Sequence, residues 1–156
     1  MNNKFKVPAN EINQRTLRIQ KVLQGNGIDS LLIVQRVDLF YFSGTAQNGV
    51  LYIPAEGEPL LFIIKYMPRA QKESSIKNII EIKSIKEIPD LISDFYGRLP
   101  HVFGLEYDVL PVKDFNFFKT LFHDQKFVDV SPYILKTRMI KSGFPFCTLS
   151  SPSSPS

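Results

Sequence analysis

An unbroken apolar run close to the N-terminus is the feature that most restricts the fold of this chain. Residues 31–34 read LLIV, with no polar side chain among them. Because successive side chains of a strand point to opposite faces, this run predicts a strand over residues 28–34 that is covered on both faces. Covering both faces requires helices on each side of a sheet, so the run predicts an α/β fold.

The segments around this strand supply the other elements of such a fold. Asn10 is a suitable N-cap, and apolar side chains at helical spacing predict a helix over residues 10–24 that ends at Gly25 and Gly27. A turn rich in proline and glycine joins two predicted strands, residues 48–53 and 60–65, in an antiparallel hairpin, which makes the sheet mixed. Further strands are predicted at residues 79–82, 101–105 and 126–130, and further helices at residues 67–75, at 111–122 and from 131 towards 141.

The helix that follows residue 83 has two possible starts. Ser84 and Glu87 have the spacing of a capping box, which predicts a start at Ser84. Pro89 is favoured at the first position of a helix and disfavoured further in, which predicts a start at Pro89 instead. Either start leaves one apolar face for the core, formed by Ile88, Leu91, Ile92 and Phe95.

Composition and charge restrict the class of protein. The 156 residues fit one domain, and the net charge of +4 comes from scattered lysines and arginines rather than from a basic patch, so no nucleic-acid surface is predicted. No apolar run approaches the roughly 20 residues of a membrane span, and residues 1–7 lack the apolar core of a secretory signal. Cys147 is the only cysteine, which excludes an internal disulfide. We therefore expect a cytoplasmic protein that binds neither membranes nor nucleic acid.

Sequence motifs of catalysis are absent from the chain. The sequence contains no GxGxxG, GxxxxGK[ST], HExxH or GxSxG segment, so phosphate cradling, a helical zinc pair and a serine nucleophile are not indicated. His101 and His123 lie at a strand start and in a loop, where histidines are usually solvated. No metal ligand and no catalytic residue is predicted from these side chains.

Four acidic side chains near the predicted strand ends raise one alternative. Asp38, Glu106, Asp108 and Asp129 would suggest a metal-dependent nuclease if they converged. No acid, however, lies inside a strand between apolar neighbours. Asp108 and Asp129 also have an alternative role as caps just ahead of Pro111 and Ser131.

The segment VDLFYFSG, residues 37–44, allows two interpretations. Its pattern predicts a short helical turn or an irregular connection that ends at Gly44. The first interpretation is core packing beneath a tight turn. The second is a wall that faces a substrate or another subunit, because aromatic residues are enriched at interfaces.

Five segments in order resemble the N-terminal domain of the creatinase/prolidase family. They are GIDSLLI (27–33), DLFYFSGTAQNGVLYIPAEGEPLLF (38–62), GLEYDVLP (104–111), FVDVSPYI (127–134) and RMIKS (138–142). The resemblance implies a mixed sheet flanked by helices, with ribonuclease-H-like topology. It also divides the chain into an extension (1–9), the family domain (10–142) and a tail (143–156) of low-complexity composition, which we expect to be disordered or non-native.

The resemblance also implies what this chain does and does not do. Family members carry a second, pita-bread domain whose two divalent metals, such as manganese or cobalt, activate water to cut an Xaa-Pro bond. None of those ligands is found here, so we expect no enzymatic activity from this chain alone. The family's N-terminal domain forms dimers and gates the partner's active site, which makes Asp38, Tyr41, Phe42 and Ser43 the candidates for substrate or interface contact.

Two other functions stay open at this point. One is a self-standing module that binds a small ligand or a protein, and the other is the nuclease. The parent of the domain could be a peptidase or a creatine-type amidinohydrolase, because both share this domain and function resides in the second one. A peptide substrate is expected only for the full-length parent.

Overall fold

A computed structural model describes residues 7–65 and 67–139. The described helices are α1 (Ala9–Gly25), α2 (Arg36–Ser43), α3 (Met67–Glu73), α4 (Ile88–Tyr96), α5 (Val112–Leu121) and α6 (Ser131–Arg138). The described strands are β1 (Ser30–Ile33), β2 (Gly49–Pro54), β3 (Leu60–Ile63), β4 (Ile79–Glu81), β5 (Val102–Leu105) and β6 (Lys126–Asp129). The predicted tail with Cys147, and residues 1–6 of the predicted extension, lie outside the described residues.

The six strands form one mixed sheet in the order β4-β3-β2-β1-β5-β6. Strand β2 runs antiparallel to both of its neighbours, β1 and β3, whereas β1, β5 and β6 are parallel, as are β3 and β4. The hairpin of β2 and β3 supplies the antiparallel part, and helices return the chain between the parallel strands. This topology confirms the predicted α/β fold with a mixed, ribonuclease-H-like sheet.

Strand β1 lies inside the sheet, and its apolar side chains belong to two hydrophobic cores, one on each face of the sheet. Leu31 and Ile33 pack on one face with side chains of α1, α2 and α6, whereas Leu32 packs on the other with side chains of α4 and α5. All four residues of β1 are buried. The two-sided covering inferred from the run LLIV is therefore confirmed.

Several local predictions are corrected by the packing. Of the two forms predicted for residues 37–44, the helical one is correct, because α2 is a helix of eight residues. Its N-cap is Gln35, whose side chain accepts a hydrogen bond from the backbone N–H of Asp38. Both start signals near residue 84 are used, because the capping box of Ser84 and Glu87 closes a 3₁₀ turn (Ile85–Glu87) that leads directly into α4. Phe95 was predicted to face the core, but it is 44% exposed.

Candidate functional site

Two acidic side chains meet at one edge of the sheet. Glu106 follows the last residue of β5 directly, and Asp38 lies in the first turn of α2, soon after β1. Because β1 and β5 are parallel neighbours, their carboxyl ends lie at the same edge. Helix α6 ends there too and contributes Arg138. We call the group Arg15, Asp38, Tyr41, Glu106 and Arg138 the charged junction.

Asp38 forms the ion pair of the junction. Nη1 of Arg138 donates to Oδ1 of Asp38 at 2.9 Å, and the Asp38 side chain is 5% exposed, against 36% for that of Arg138. The carboxylate is therefore shielded from water, and its charge is balanced by a guanidinium on a helix 100 residues further along the chain. A buried carboxylate needs such a partner, because burying an unpaired charge is costly.

Glu106 differs from Asp38 because no described group donates a hydrogen bond to its Oε1. The residue is 3% exposed, and its Oε1 has no hydrogen bond partner in the described structure. Burial raises the pKa of the Glu106 carboxyl to about 10; the hydrogen bond with Asp38 and the charge of Asp38 and Asp108 act in the same direction, and Arg138 opposes them. Burial and the neighbouring Asp38 thus favour the protonated form of Glu106, which can donate a hydrogen bond to Asp38. The junction therefore holds the guanidinium groups of Arg15 and Arg138, the Asp38 carboxylate and the Glu106 carboxyl group.

Tyr41 connects three helices at the same place. Its hydroxyl donates to the backbone oxygen of Thr137 in α6 at 3.2 Å, and Nη1 of Arg15 in α1 donates to the Tyr41 backbone oxygen at 2.7 Å. The Arg15 guanidinium also lies 4.1 Å from the centre of the Tyr41 ring, a cation–π contact. Burial raises the pKa of the Tyr41 hydroxyl, although the charges of Arg15 and Arg18 partly oppose this. Tyr41 thus holds α1, α2 and α6 together.

The predicted contact residues separate into two groups. Phe42 and Ser43 have no exposed surface, so neither can face a substrate or a second subunit, and for these two the predicted role is incompatible with the fold. Phe42 belongs to the core under the sheet. The most exposed aromatic side chain of α2 is Phe40, which is 42% exposed, beside Val37, which is 51% exposed. Asp38 is also buried, with 4% of its surface exposed, whereas Tyr41 is partly exposed, and its contact with a substrate or a second subunit stays a prediction.

The C-terminal end of α2 is held by a different set of groups. Oγ of Ser43 donates to the backbone oxygen of Leu39 at 2.6 Å, and Gly44 ends the helix at φ +88°. A Cβ at Gly44 would lie 3.0 Å from the backbone oxygen of Glu73 in α3, so the close approach of the two helices also requires glycine. Thr45 continues the connection, donating to Oε1 of Glu73 at 2.6 Å.

The Glu73 carboxylate accepts hydrogen bonds from three side chains near this end of α2. Thr45 and Gln47 donate to its Oε1, and Arg69 donates to its Oε2 at 3.0 Å. Burial alone would raise the pKa of Glu73, but the hydrogen bonds from Thr45, Arg69 and Gln47 outweigh burial, and the net effect lowers the pKa. The three side-chain donors therefore favour the ionised form of Glu73.

The strand-end acids do not assemble a metal site. Asp129 accepts hydrogen bonds from the backbone N–H groups of Tyr107 and Ser131, and the backbone N–H of Asp108 donates to Ser131. In residues 7–65 and 67–139, no three His, Cys, Asp or Glu side chains are placed to hold a metal ion together. The described residues therefore hold no carboxylate cluster for the nuclease alternative. The two divalent metals that the resemblance implies were expected in a second domain and not in this one.

The sequence indicated only part of this arrangement. Asp38 and Glu106 were recognised as strand-end acids, but Arg138 was noted only within the segment RMIKS, and Arg15 was not noted at all. The signal that could have pointed to Arg138 is that the acid Asp38 needs a positively charged partner.

In the part of the chain that the structure describes, no helix is both long and apolar enough to span a membrane.

Comparison with known protein families gives a match over most of the chain. The model of the creatinase/prolidase N-terminal domain matches residues 15–140. A curated relative, the Xaa-Pro dipeptidase of Pyrococcus furiosus, is 29% identical over 82 residues, which are 52% of this chain and 24% of that protein. The matched part is therefore about a quarter of the length of this relative.

Solved structures with the same fold include isolated domains and longer proteins. The N-terminal domain of the cytoplasmic peptidase PepQ from Mycobacterium tuberculosis has a TM-score of 0.70 at 18% identity, with 80% of this chain and 98% of that chain covered. The Xaa-Pro dipeptidase from Bacillus anthracis has a TM-score of 0.73 at 20% identity, with 85% and 37% covered. The X-Pro aminopeptidase from Thermotoga maritima has a TM-score of 0.66 at 25% identity, with 74% and 34% covered.

Proposed function

The chain belongs to the creatinase/prolidase N-terminal domain family, and from this premise we propose that it is a non-catalytic domain of an Xaa-Pro peptidase that forms dimers and gates the partner's active site. The observation that carries the proposal is the outward face of α2. Val37 and Phe40 lie three residues apart, on one side of the helix, and both are exposed. Exposed apolar and aromatic side chains grouped in this way are typical of protein contacts.

The anchoring of α2 supports a role in positioning. Its first turn is tied to α6 through Asp38 and Arg138, and the residues just after its end are tied to α3 through the hydrogen bond from Thr45 to Glu73. A contact surface on a helix held at both ends loses little conformational entropy when a partner binds. This is the property that a domain needs if it shapes the entrance to a neighbouring active site.

The burial of the acids supports a non-catalytic role. Asp38 and Glu106 are 4% and 3% exposed, so they are shielded from a substrate in solution. A general acid or base must come within hydrogen-bonding reach of the group that it protonates or deprotonates. We propose that peptide cleavage belongs to a second domain of the parent, and the similarity to Xaa-Pro dipeptidases supports an Xaa-Pro peptide as its substrate. A cytoplasmic location, like that of the peptidase PepQ, is part of the same proposal.

Two aromatic substitutions test the dimer. Phe40→Ser removes the exposed aromatic of α2, whereas Phe95→Ser removes one of similar exposure, 44%, on α4. We expect the chain to form a dimer in sedimentation equilibrium, and Phe40→Ser to weaken it by roughly tenfold or more, the size expected of an aromatic interface anchor. Phe95→Ser should leave the dimerisation constant unchanged. A monomeric chain, or equal effects of the two substitutions, would refute dimerisation through α2.

Peptide cleavage tests the gating. The substitution Phe40→Ser is placed in a longer protein that carries this domain ahead of a catalytic domain, and cleavage of an Xaa-Pro dipeptide is measured. We expect kcat/KM to fall, while Phe95→Ser leaves it unchanged. An unchanged kcat/KM in a protein whose dimer has been lost would separate dimerisation from gating and exclude the latter.

A further inference from the structure

The last turn of helix α6 is held differently from the start of that helix. Val130, just before the helix, and Ile134 are buried in the core that α1 and α2 also form. In residues 135–138 no apolar side chain is buried, because Leu135 is 51% exposed and Thr137 is the only buried residue of that range. Short helices are stabilised mainly by the packing of an apolar face, so this turn needs contacts of another kind.

The contacts that hold this turn come from helix α2. The Tyr41 hydroxyl donates to the backbone oxygen of Thr137 at 3.2 Å, and Nη1 of Arg138 donates to Oδ1 of Asp38 at 2.9 Å. Asp38 and Tyr41 lie three residues apart and therefore on one side of α2, and their partners are adjacent in α6. The backbone oxygens of a last helical turn lack the amide of a following turn, and Tyr41 supplies a donor to one of them.

The α2 side of these contacts is fixed without the help of α6. Leu39 and Phe42 are buried in the core, and Asp38 is 4% exposed. Nη1 of Arg15 donates to the backbone oxygen of Tyr41 at 2.7 Å, and the Arg15 guanidinium lies 4.1 Å from the centre of the Tyr41 ring. If the last turn of α6 opens, α2 therefore stays in place.

We propose that residues 135–138 form a latch, a turn that opens from α2 and closes on it as a unit while the sheet stays folded. In the closed form both contacts with α2 are made. In the open form the Asp38 carboxylate stays buried beside Glu106 without the guanidinium of Arg138, and this cost favours the closed form. Local openings of this kind occur where a fold buries few apolar side chains.

The latch orients whatever follows helix α6. When the latch is closed, the whole of α6 sets the direction in which the chain leaves the sheet. When it is open, Ile134 is the last residue of α6 that the core still holds. In a longer protein that carries this domain, the population of the closed form therefore sets how firmly the following segment is oriented. Neither dimerisation nor gating is required for this effect.

Hydrogen exchange of backbone amides, measured by NMR on the full chain, tests the latch. We expect the amides of residues 135–139 to exchange faster than those of β1, whose exposure requires global unfolding. Tyr41→Phe removes the hydroxyl and keeps the ring that packs on Arg15. The lost hydrogen bond is broken both by opening of the latch and by global unfolding. Exchange of residues 135–139 and of β1 should therefore rise in parallel, by about two- to tenfold.

Tyr133→Phe is the matched control in the same helix. The Tyr133 hydroxyl donates to Oδ1 of Asn26 at 3.1 Å, ahead of the latch, so this hydrogen bond stays intact when the latch opens. Tyr133→Phe should leave the exchange rates of residues 135–139 unchanged, whatever its effect on β1.

Arg138→Gln tests the second contact of the latch. It removes the charged hydrogen bond to Asp38, and we expect exchange of residues 135–139 to rise about tenfold or more. The Arg138 side chain is the more exposed member of the pair, at 36%. This variant tests the latch even if Tyr41→Phe does not fold.

Three outcomes would overturn the latch. If residues 135–139 exchange as slowly as β1, the turn opens only with the whole domain. If Tyr41→Phe leaves the rates of residues 135–139 unchanged, the turn frays without breaking its contact with α2. If Tyr41→Phe and Tyr133→Phe raise these rates equally, all of α6 opens together, and residues 135–138 are not a separate unit.

Discussion

Each end of helix α2 lies beside a glutamate, and the pKa values of the two glutamates are shifted in opposite directions. At the C-terminal end, Glu73 accepts hydrogen bonds from Thr45, Gln47 and Arg69, and its pKa is lowered. At the N-terminal end, Glu106 is buried beside Asp38 with one oxygen unpaired, and its pKa is raised. The ion pair of Asp38 with Arg138 anchors the N-terminal end, and Glu106 lies beside it. The number of donors at each position, rather than the residue type, decides the charge.

The largest expected effect comes from titrating the two glutamates. Glu106 is protonated in the folded chain and ionised when unfolded, so its contribution to stability is complete below about pH 4.5 and is lost as the pH rises towards about 10. Glu106→Gln keeps a neutral side chain and removes this loss. The free energy of unfolding of Glu106→Gln should therefore exceed that of the unsubstituted chain by a margin that grows with pH, by up to about 1.4 kcal/mol per pH unit.

Glu73→Gln is the matched control at the other end of α2. The lowered pKa of Glu73 contributes stability above its unfolded value, and this stability is lost as the pH falls through the folded value. Glu73→Gln should thus cost about 1 kcal/mol at neutral pH and nothing in acid. Urea unfolding across the pH range measures both. Parallel pH profiles for Glu106→Gln and the unsubstituted chain would contradict the assignment of a neutral Glu106.

The second effect comes from removing the cation of the junction. Arg138→Met leaves the buried Asp38 carboxylate beside Glu106 without a counter-charge, and we expect a loss of about 3 kcal/mol in the free energy of unfolding at neutral pH. Lys136→Met, on the same helix but exposed, should change stability by less than about 0.5 kcal/mol. Adding Asp38→Asn to Arg138→Met should recover part of the loss. If it recovers nothing, the ion pair does not account for the effect.

The smallest effect tests the glycine at the other end. Gly44→Ala should cost about 2 kcal/mol, because φ is +88° and the new Cβ meets the backbone oxygen of Glu73 at 3.0 Å. Gly97→Ala has a similar φ, +85°, with nothing within 4 Å of the new Cβ, and should cost about 1 kcal/mol. The difference in Tm between the two variants isolates the contact between α2 and α3. Equal costs would mean that only the backbone conformation matters.

Local patterns predicted most of the elements of this fold. The run LLIV required a strand covered on both faces, and the prolines and glycines between residues 54 and 59 marked the hairpin. Gly44 was correctly expected to end its segment. These predictions succeeded because alternation of side chains, helical spacing and turn chemistry act over a few residues.

The candidate site was predictable only in part. Asp38 and Tyr41 were singled out, but Phe42 was predicted to face outward, although Phe40 is the aromatic side chain at the surface. Both aromatics lie within the same two turns, and spacing alone does not tell which side of α2 packs against the sheet. Local patterns also say nothing of Arg138, because its partner Asp38 lies 100 residues away in the sequence.

The sequence by itself determined the α/β class, the order of the elements and the strand-end position of Asp38 and Glu106. Only the tertiary structure decided that these two acids meet, that burial raises the pKa of Glu106, and that Nη1 of Arg18 is buried without a hydrogen bond partner among the described residues. The physical reason is that secondary structure follows from interactions between near neighbours in the chain. Charge states and unpaired groups depend on desolvation and on donors brought from distant segments, and these exist only once the sheet and its helices have assembled.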